Sequence, residues 1–153
     1  RVRMLVNKGK AAKTSCFISI FVVFFIFGSQ ELVANTASPK VYFINLQSGD
    51  KTPTTFLVQF GLKGLGIAPA GIKLSNTGHH HLLIDYPTLP DLKSPLGAND
   101  NIKHYGKGQT EALLTLSPGK HTLQLVFGDH KHVPLSPPVL SEKITIEVSQ
   151  PTK

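Results

Sequence analysis

Cysteine and tryptophan are almost missing from this sequence. Its 153 residues include one cysteine, Cys16, and no tryptophan, so no disulfide can form within the chain. Cys16 lies at the start of an apolar run rather than just after it, which argues against lipid attachment there. From residue 38 onward the chain therefore has no thiol nucleophile. Its stability must come from packing.

Acidic side chains are also scarce, with nine against 16 lysines and arginines. Residues 1–37 contain five of the basic side chains and one of the acidic ones, so the remainder has a net charge of only about +3. No basic stripe interleaved with aromatics remains there, which excludes a nucleic-acid-binding surface. The few carboxylates form no evident acid–base pair, and no serine stands in a nucleophile context. We predict that the protein is not an enzyme.

The N-terminal segment has the pattern of a secretory signal peptide. Residues 1–13 contain five basic side chains and no acid, and Cys16–Phe27 is apolar apart from two residues. This run is shorter than the ~20 residues of a membrane-spanning helix, so a retained anchor is the disfavoured alternative. Ala34 and Ala37 provide small residues for cleavage. We predict removal of residues 1–37, a periplasmic or secreted location, and membrane contact only before cleavage.

The remainder, residues 38–153, shows the alternation of β-strands and no convincing helical periodicity. Apolar residues recur at every second position through 56–62 and again through 144–148. Gly, Pro and Asn separate such runs, and a long irregular loop is expected over Tyr86–Lys103. This pattern predicts an all-β fold, an immunoglobulin-like antiparallel β-sandwich of about seven strands that forms one domain over residues 38–153.

Three stretches of the chain resemble a known family: GHHHLLID at 78–85, HYGKGQTEALLTLSPGKHTLQLVFGDHKH at 104–132 and PPVLSEKITIEV at 137–148. Together they resemble a bacterial family of exported, single-domain proteins of unknown function. The resemblance covers nearly all of the chain after residue 37 and implies export and a β-sandwich, but it names no substrate. Within the second stretch, LSPGKHTLQL is similar to the corner of bacterial immunoglobulin-like domains, where a tyrosine usually occupies the place of His121.

All seven histidines lie after residue 78, and four of them form two His-x-His pairs. Alternate side chains of a strand share a face, so both members of a pair can reach one ion. Neutral imidazoles suit zinc or copper, which exported proteins meet outside the cytoplasm. We predict a site for copper or zinc formed by His79, His81, His104, His130 and His132.

Other polar residues have different expected roles. Asp85 and Asp129 are candidates to orient a ligand ring from outside the site. His121 alternates with leucines of a predicted strand and is expected to face the core in place of the corner tyrosine. His80 lies on the face opposite the first His-x-His pair, and the sequence leaves open which of the two faces points inward, because this depends on the strand register.

Two functions follow from these observations. The first is an exported, non-enzymatic domain that binds a transition metal ion, or a small ligand, where the histidines gather. The alternative is a structural or protein-interaction domain without a metal, whose histidines make internal hydrogen bonds. Copper–zinc superoxide dismutase has a similar architecture, but its histidines differ in order and context. The segment Gly106-Lys107-Gly108 lacks the strand-to-helix context of a phosphate loop and is predicted to be a turn.

Overall fold

The structure of the protein is a computed structural model that describes residues 38–150. These residues form strands and no helix, so the predicted all-β class is confirmed. No helix long and apolar enough to cross a membrane is found among them. The predicted signal peptide, residues 1–37, lies outside the described residues.

Residues 38–150 contain nine strands, where about seven were expected. They are β1 Lys40–Phe43, β2 Lys51–Pro53, β3 Thr55–Lys63, β4 Gly66–Ile67, β5 Thr77–Ile84, β6 Ile102–His104, β7 Glu111–Thr115, β8 Gly119–Gly128 and β9 Ile144–Ser149. The sequence did not predict β2, β4 and β6, because runs of two or three residues show no measurable alternation. The strand expected over residues 139–148 begins only at Ile144, and an isolated bridge from Leu140 to Val126 precedes it.

The strands form two sheets. One has three antiparallel strands in the order β1-β3-β7, and the other has the order β2-β9-β8-β5-β4, with β6 also paired to β5. The expected wholly antiparallel arrangement is wrong at the periphery, where β2 pairs with β9 and β4 with β5 in parallel. Because β8 pairs with one edge of β5, the short strands β4 and β6 share the other edge.

Residues from both sheets form the main hydrophobic core. Val58 and Phe60 of β3 contribute from one sheet, and Leu125 and Phe127 of β8 from the other. A second, smaller cluster lies on the opposite face of the larger sheet and consists of Leu83, Leu96, Ile102 and Val126. Leu96 comes from the proline-rich loop predicted over Tyr86–Lys103, so this loop covers the sheet. As a result, β5 is buried on both of its faces.

Candidate metal centre

Three consecutive histidines lie in β5, and each is 0% exposed. His80 faces the main core, where its ring centroid is 5.2 Å from that of Phe60 and 5.4 Å from that of Phe127. His79 and His81 therefore face the other side of the sheet, since side chains alternate along a strand. The sequence left open which face of this strand points inward. In the structure both faces of β5 are buried.

Four histidines converge on this second face. Potential ligand atoms of His79, His81, His104 and His132 all lie within 4.8 Å of one another. The pairing of β6 with β5 places His104 directly opposite His81. His132 comes from the loop after β8, which ends at Gly128 opposite His79. Two neighbours of one central strand thus each supply one imidazole to the pair on β5.

The distances between ring nitrogens are close to those of a metal site. Nε2 of His79 lies 3.1 Å from Nε2 of His104 and 3.1 Å from Nδ1 of His132. Four nitrogens placed tetrahedrally at ~2.0–2.1 Å from a zinc ion would be separated by ~3.4 Å. Small side-chain movements would therefore bring these nitrogens to coordinating positions. The expected His-x-His geometry is present for the first pair.

Two glycines make room for the ligand rings. A Cβ atom at Gly106 would overlap Cε1 and Nε2 of His104, and one at Gly128 would lie 2.8 Å from Cε1 of His81. Neither glycine has a positive φ, so it is the space, and not the backbone conformation, that requires glycine. The turn predicted at Gly106–Gly108 is present. Its closeness to a ligand ring could not be read from the sequence.

The loop that carries His132 is held by the carboxylate of Asp129. Its Oδ1 accepts hydrogen bonds from the backbone N–H groups of Lys131 at 2.8 Å and Val133 at 3.0 Å. The N–H of His132 also donates to the Asp129 carbonyl at 2.9 Å. His132 has φ +67°, a conformation that is uncommon outside glycine. Asp129 was predicted to orient a ligand ring, and instead its hydrogen bonds hold the backbone around His132.

The electrostatic environment keeps His79, His81 and His104 neutral. Burial and then the neighbouring His104 and His132 lower the pKa of His79 to about 4, whereas Asp129 opposes the shift. Burial and the charge of His79 lower the pKa of His81 to about 3. The pKa of His104 is also lowered, by burial and then by His132. These rings therefore offer free lone pairs to a cation at neutral pH.

His130 is the predicted ligand that does not join the group. Its Nδ1 is 3.8 Å from Oδ2 of Asp129, and it is absent from the four converging histidines. The His-x-His argument assumed an extended chain, but residues 130 and 131 form a turn and His132 has a positive φ. The alternation that would bring both rings to one side is therefore lost.

Asp85 also has a different role from the predicted one. Its Oδ2 is 2.6 Å from Nδ1 of His121, and its Oδ1 accepts the N–H of Thr122 at 2.8 Å. Nε2 of His121 donates to the carbonyl of Ser117 at 2.8 Å. We call His121, Asp85 and Ser117 the histidine corner. His121 was predicted to have a structural role and to face the core. Its hydrogen bonds to Asp85 and Ser117 are consistent with the structural role. They also show that its ring contacts polar atoms at the end of the sheet.

Comparisons with known proteins give a family but no activity. A search of curated proteins finds no match. Among solved structures, the endo-β-1,4-mannanase from Thermotoga petrophila is 16% identical, with 73% of this chain aligned and a TM-score of 0.42. This chain spans only 20% of that protein's length, and a likeness this weak supports no conclusion. Residues 58–149 match the model of a family described as a domain of unknown function (DUF4399). Because that match covers more than half of the chain, the protein belongs to the DUF4399 family.

Proposed function

We propose that the protein is a non-enzymatic domain that binds a copper or zinc ion through His79, His81, His104 and His132. The observation that supports this most strongly is the convergence of four imidazoles within 4.8 Å on one buried face. Structural zinc sites enclose the ion with four protein ligands, whereas catalytic zinc sites keep a position for water. Four histidines therefore match the ligand number of a binding site for zinc better than that of a zinc enzyme.

The chemistry of the ligands narrows the choice of ion. Within the described part of the chain the group contains only histidines. Imidazole is a ligand of intermediate softness that suits zinc and copper, whereas magnesium and calcium require oxygen ligands. Bound there, the ion would be held by ring nitrogens alone. Nε2 of His79 lies 3.1 Å from a ring nitrogen of each of two other members, His104 and His132.

A network of hydrogen bonds between the histidines is the competing explanation, and it leaves several ring nitrogens unsatisfied. Nε2 of His79 has two ring-nitrogen neighbours at 3.1 Å. A neutral ring nitrogen has either one hydrogen or one lone pair, so only one of these contacts can be a good hydrogen bond. Among the described residues, neither nitrogen of His81 has a hydrogen-bond partner. A cation would accept the lone pairs of all four rings at once.

A small organic ligand is a weaker candidate than an ion. A cleft of about 210 Å³ is lined by Lys40–Phe43, Leu46–Ser48 and Ser141–Ile144, and none of the seven histidines contributes to it. Ligand pockets usually measure ~300–1,000 Å³, so this cleft is small for one. The histidine cluster is therefore the better site for binding.

The proposal also includes export of the protein to the periplasm or the medium and an immunoglobulin-like fold. The signal-peptide pattern of residues 1–37 supports a periplasmic or secreted location, where copper and zinc are encountered outside cytoplasmic buffers. Two sheets that both contribute to the main core, with inward residues alternating along β3 and β8, support an immunoglobulin-like sandwich. Removal of residues 1–37 would leave the whole histidine cluster in the mature protein.

The test is to measure metal content and affinity in protein purified without an affinity tag. We expect bound zinc or copper by elemental analysis and a calorimetric titration with a stoichiometry of one ion. His79→Ala should abolish this binding. His130→Ala is the matched control, because His130 lies on the same loop as His132 but outside the group, and it should bind like the wild type. Affinity no tighter than millimolar for both ions would refute the proposal in favour of the hydrogen-bonded alternative.

A further inference from the structure

The four ligands form two unlike pairs. His79 and His81 are 0% exposed and lie on β5, which has neighbouring strands on both edges. His104 and His132 are partly exposed; His104 ends the short strand β6, and His132 lies in a turn. One side of the site is therefore closed by the sheet. The other side, which we call the open edge, is formed by His104 and His132.

The fold that supports the site is held by bonds between protein atoms. The N–H of Leu96 donates to the carbonyl of His132 at 2.9 Å, and the N–H of Tyr105 donates to the carbonyl of His80 at 3.0 Å. Leu96 is also packed in the second hydrophobic cluster. Each ligand is thus positioned by pairing and packing that do not pass through an ion. Small metal-dependent domains, in contrast, are unfolded until the ion binds.

These two observations, together with the proposed binding function on which they rest, indicate what the binding is for. We propose that the four-histidine site is an exchangeable carrier site, which takes up and releases its ion at the open edge. A complete set of protein ligands leaves no position for the water of a zinc enzyme, and strand pairing and hydrophobic packing supply the contacts that hold the segments carrying these histidines. Transfer of the ion is the role that agrees with both properties.

The exchange follows from the arrangement of the ligands. An incoming donor from an acceptor molecule reaches the ion beside His104 or His132, forms a bond to it, and displaces that imidazole. His79 and His81 hold the ion until the remaining bonds are replaced. The ion keeps its charge throughout, and each metal–nitrogen bond that breaks is replaced by a bond from a donor atom of the acceptor. The acceptor is a molecule with nitrogen or sulfur donors, because these are the ligand types that compete for the same ions.

The first test is the kinetics of zinc transfer from the full, zinc-loaded protein to a chromogenic pyridylazo chelator. Attack at an open edge predicts a transfer rate that rises in proportion to the chelator concentration over at least a tenfold range. A closed site releases its ion before the chelator can bind, so its rate would not depend on chelator concentration. That second result would overturn the carrier proposal while leaving metal binding intact. If equilibrium titration shows no zinc binding at all, both proposals are wrong.

The second test identifies the edge by chemical modification of histidines with diethyl pyrocarbonate, followed by mass spectrometry. Without zinc, His104 and His132 should react several times faster than His79 and His81, and zinc should protect them. His130 is the matched control, because it is outside the site and should react equally with and without zinc. Equal reaction rates for the buried pair and the edge pair would contradict the assignment of the open edge.

Discussion

The two ends of β5 use histidine in opposite ways. Near its start, the four-histidine site brings two buried and two partly buried imidazoles against one another. Just beyond its other end, Asp85 belongs to the histidine corner, where His121 lies between a carboxylate and a carbonyl. Because β8 runs antiparallel to β5, one pair of strands contributes to both arrangements. The neighbours of a ring, and not the residue type, decide its charge and its role.

The charge states follow from the hydrogen-bond partners. The two atoms nearest to the ring nitrogens of His121, Oδ2 of Asp85 at 2.6 Å and the carbonyl oxygen of Ser117 at 2.8 Å, can only accept hydrogen bonds. Both nitrogens therefore donate to them, which only the protonated ring can do. Burial lowers the pKa of His121, but the hydrogen bond to Asp85, the bond to Ser117 and the charge of Asp85 outweigh it, so the pKa is raised. In the four-histidine site no such acceptor is bonded to His79 or His81, and their pKa values fall.

The largest expected effect is destabilisation of the metal-free protein by acid. The pKa of His79 is about 4 in the folded protein, below its ordinary value of 6.5. Between these values the unfolded chain binds more protons, so stability is full above pH 6.5 and is lost as the pH falls towards 4. Because one pKa unit corresponds to ~1.4 kcal/mol, the loss should amount to several kcal/mol. Urea unfolding at pH 7.5 and pH 4.5 in the presence of a chelator would measure it.

A variant without His79 and His81 tests whether these two buried histidines cause the acid sensitivity. Replacement of both His79 and His81 by glutamine should leave a stability that changes much less between pH 7.5 and pH 4.5. His121→Gln should retain the acid sensitivity of the wild type, because the four-histidine site is intact in it. If the stabilities of the wild type and the double variant fall equally between pH 7.5 and pH 4.5, the acid sensitivity does not come from His79 and His81.

The next effect is stabilisation by a bound ion, which should depend on one end of β5 only. An ion at 100 times its dissociation constant stabilises the folded state by ~2.7 kcal/mol. His81→Ala should lose this gain with zinc or copper, and His121→Ala should keep it in full. Thermal melts of both variants with and without each ion provide the measurement. If zinc or copper raised the melting temperatures of the two variants equally, the proposal that the ion binds at the four-histidine site and not at the histidine corner would be wrong.

A smaller effect is expected at the histidine corner in the metal-free protein. His121→Ala leaves a carboxylate and a carbonyl without their donor, which should cost about 1–3 kcal/mol. The raised pKa of His121 sets the sign of the pH dependence. Its contribution is fully present below pH 6.5 and is lost as the pH rises through the raised pKa. The difference between wild type and variant in urea unfolding should therefore shrink from pH 6 to pH 9, opposite to the trend at the other end.

The sequence predicted that His79 and His81 share a face of one strand, because strand alternation is a local property. It failed at His130, where a positive φ at His132 interrupts the alternation, and at Asp85, whose partner is 36 residues away. The sequence also could not predict that both faces of β5 are buried. The second face is covered by Leu96, which lies in a loop without apolar periodicity. Alternation shows which side chains share a face. Long-range packing determines what covers that face.

The smallest predicted effect is a loss of metal affinity from one methyl group. A Cβ at Gly106 would overlap Cε1 and Nε2 of His104, so in Gly106→Ala this ring must move away from the other ligands. Zinc affinity should fall about tenfold, which is ~1.4 kcal/mol. The stability of the metal-free protein should change by less than ~1 kcal/mol, because alanine also restricts the unfolded chain. Calorimetric titration and urea unfolding measure the two quantities separately.

Gly97→Ala is the matched control for this prediction. A Cβ at Gly97 would have no atom within 4 Å, and Gly97 has no positive φ, so zinc affinity should be unchanged. The histidine corner supplies a second control, since the unfolding of Gly106→Ala should keep the wild-type trend between pH 6 and pH 9. Equal zinc affinities of the two alanine variants would mean that the position of the His104 ring does not limit binding. His104 would then have to be removed from the ligand set, which would leave three histidines and an open coordination position.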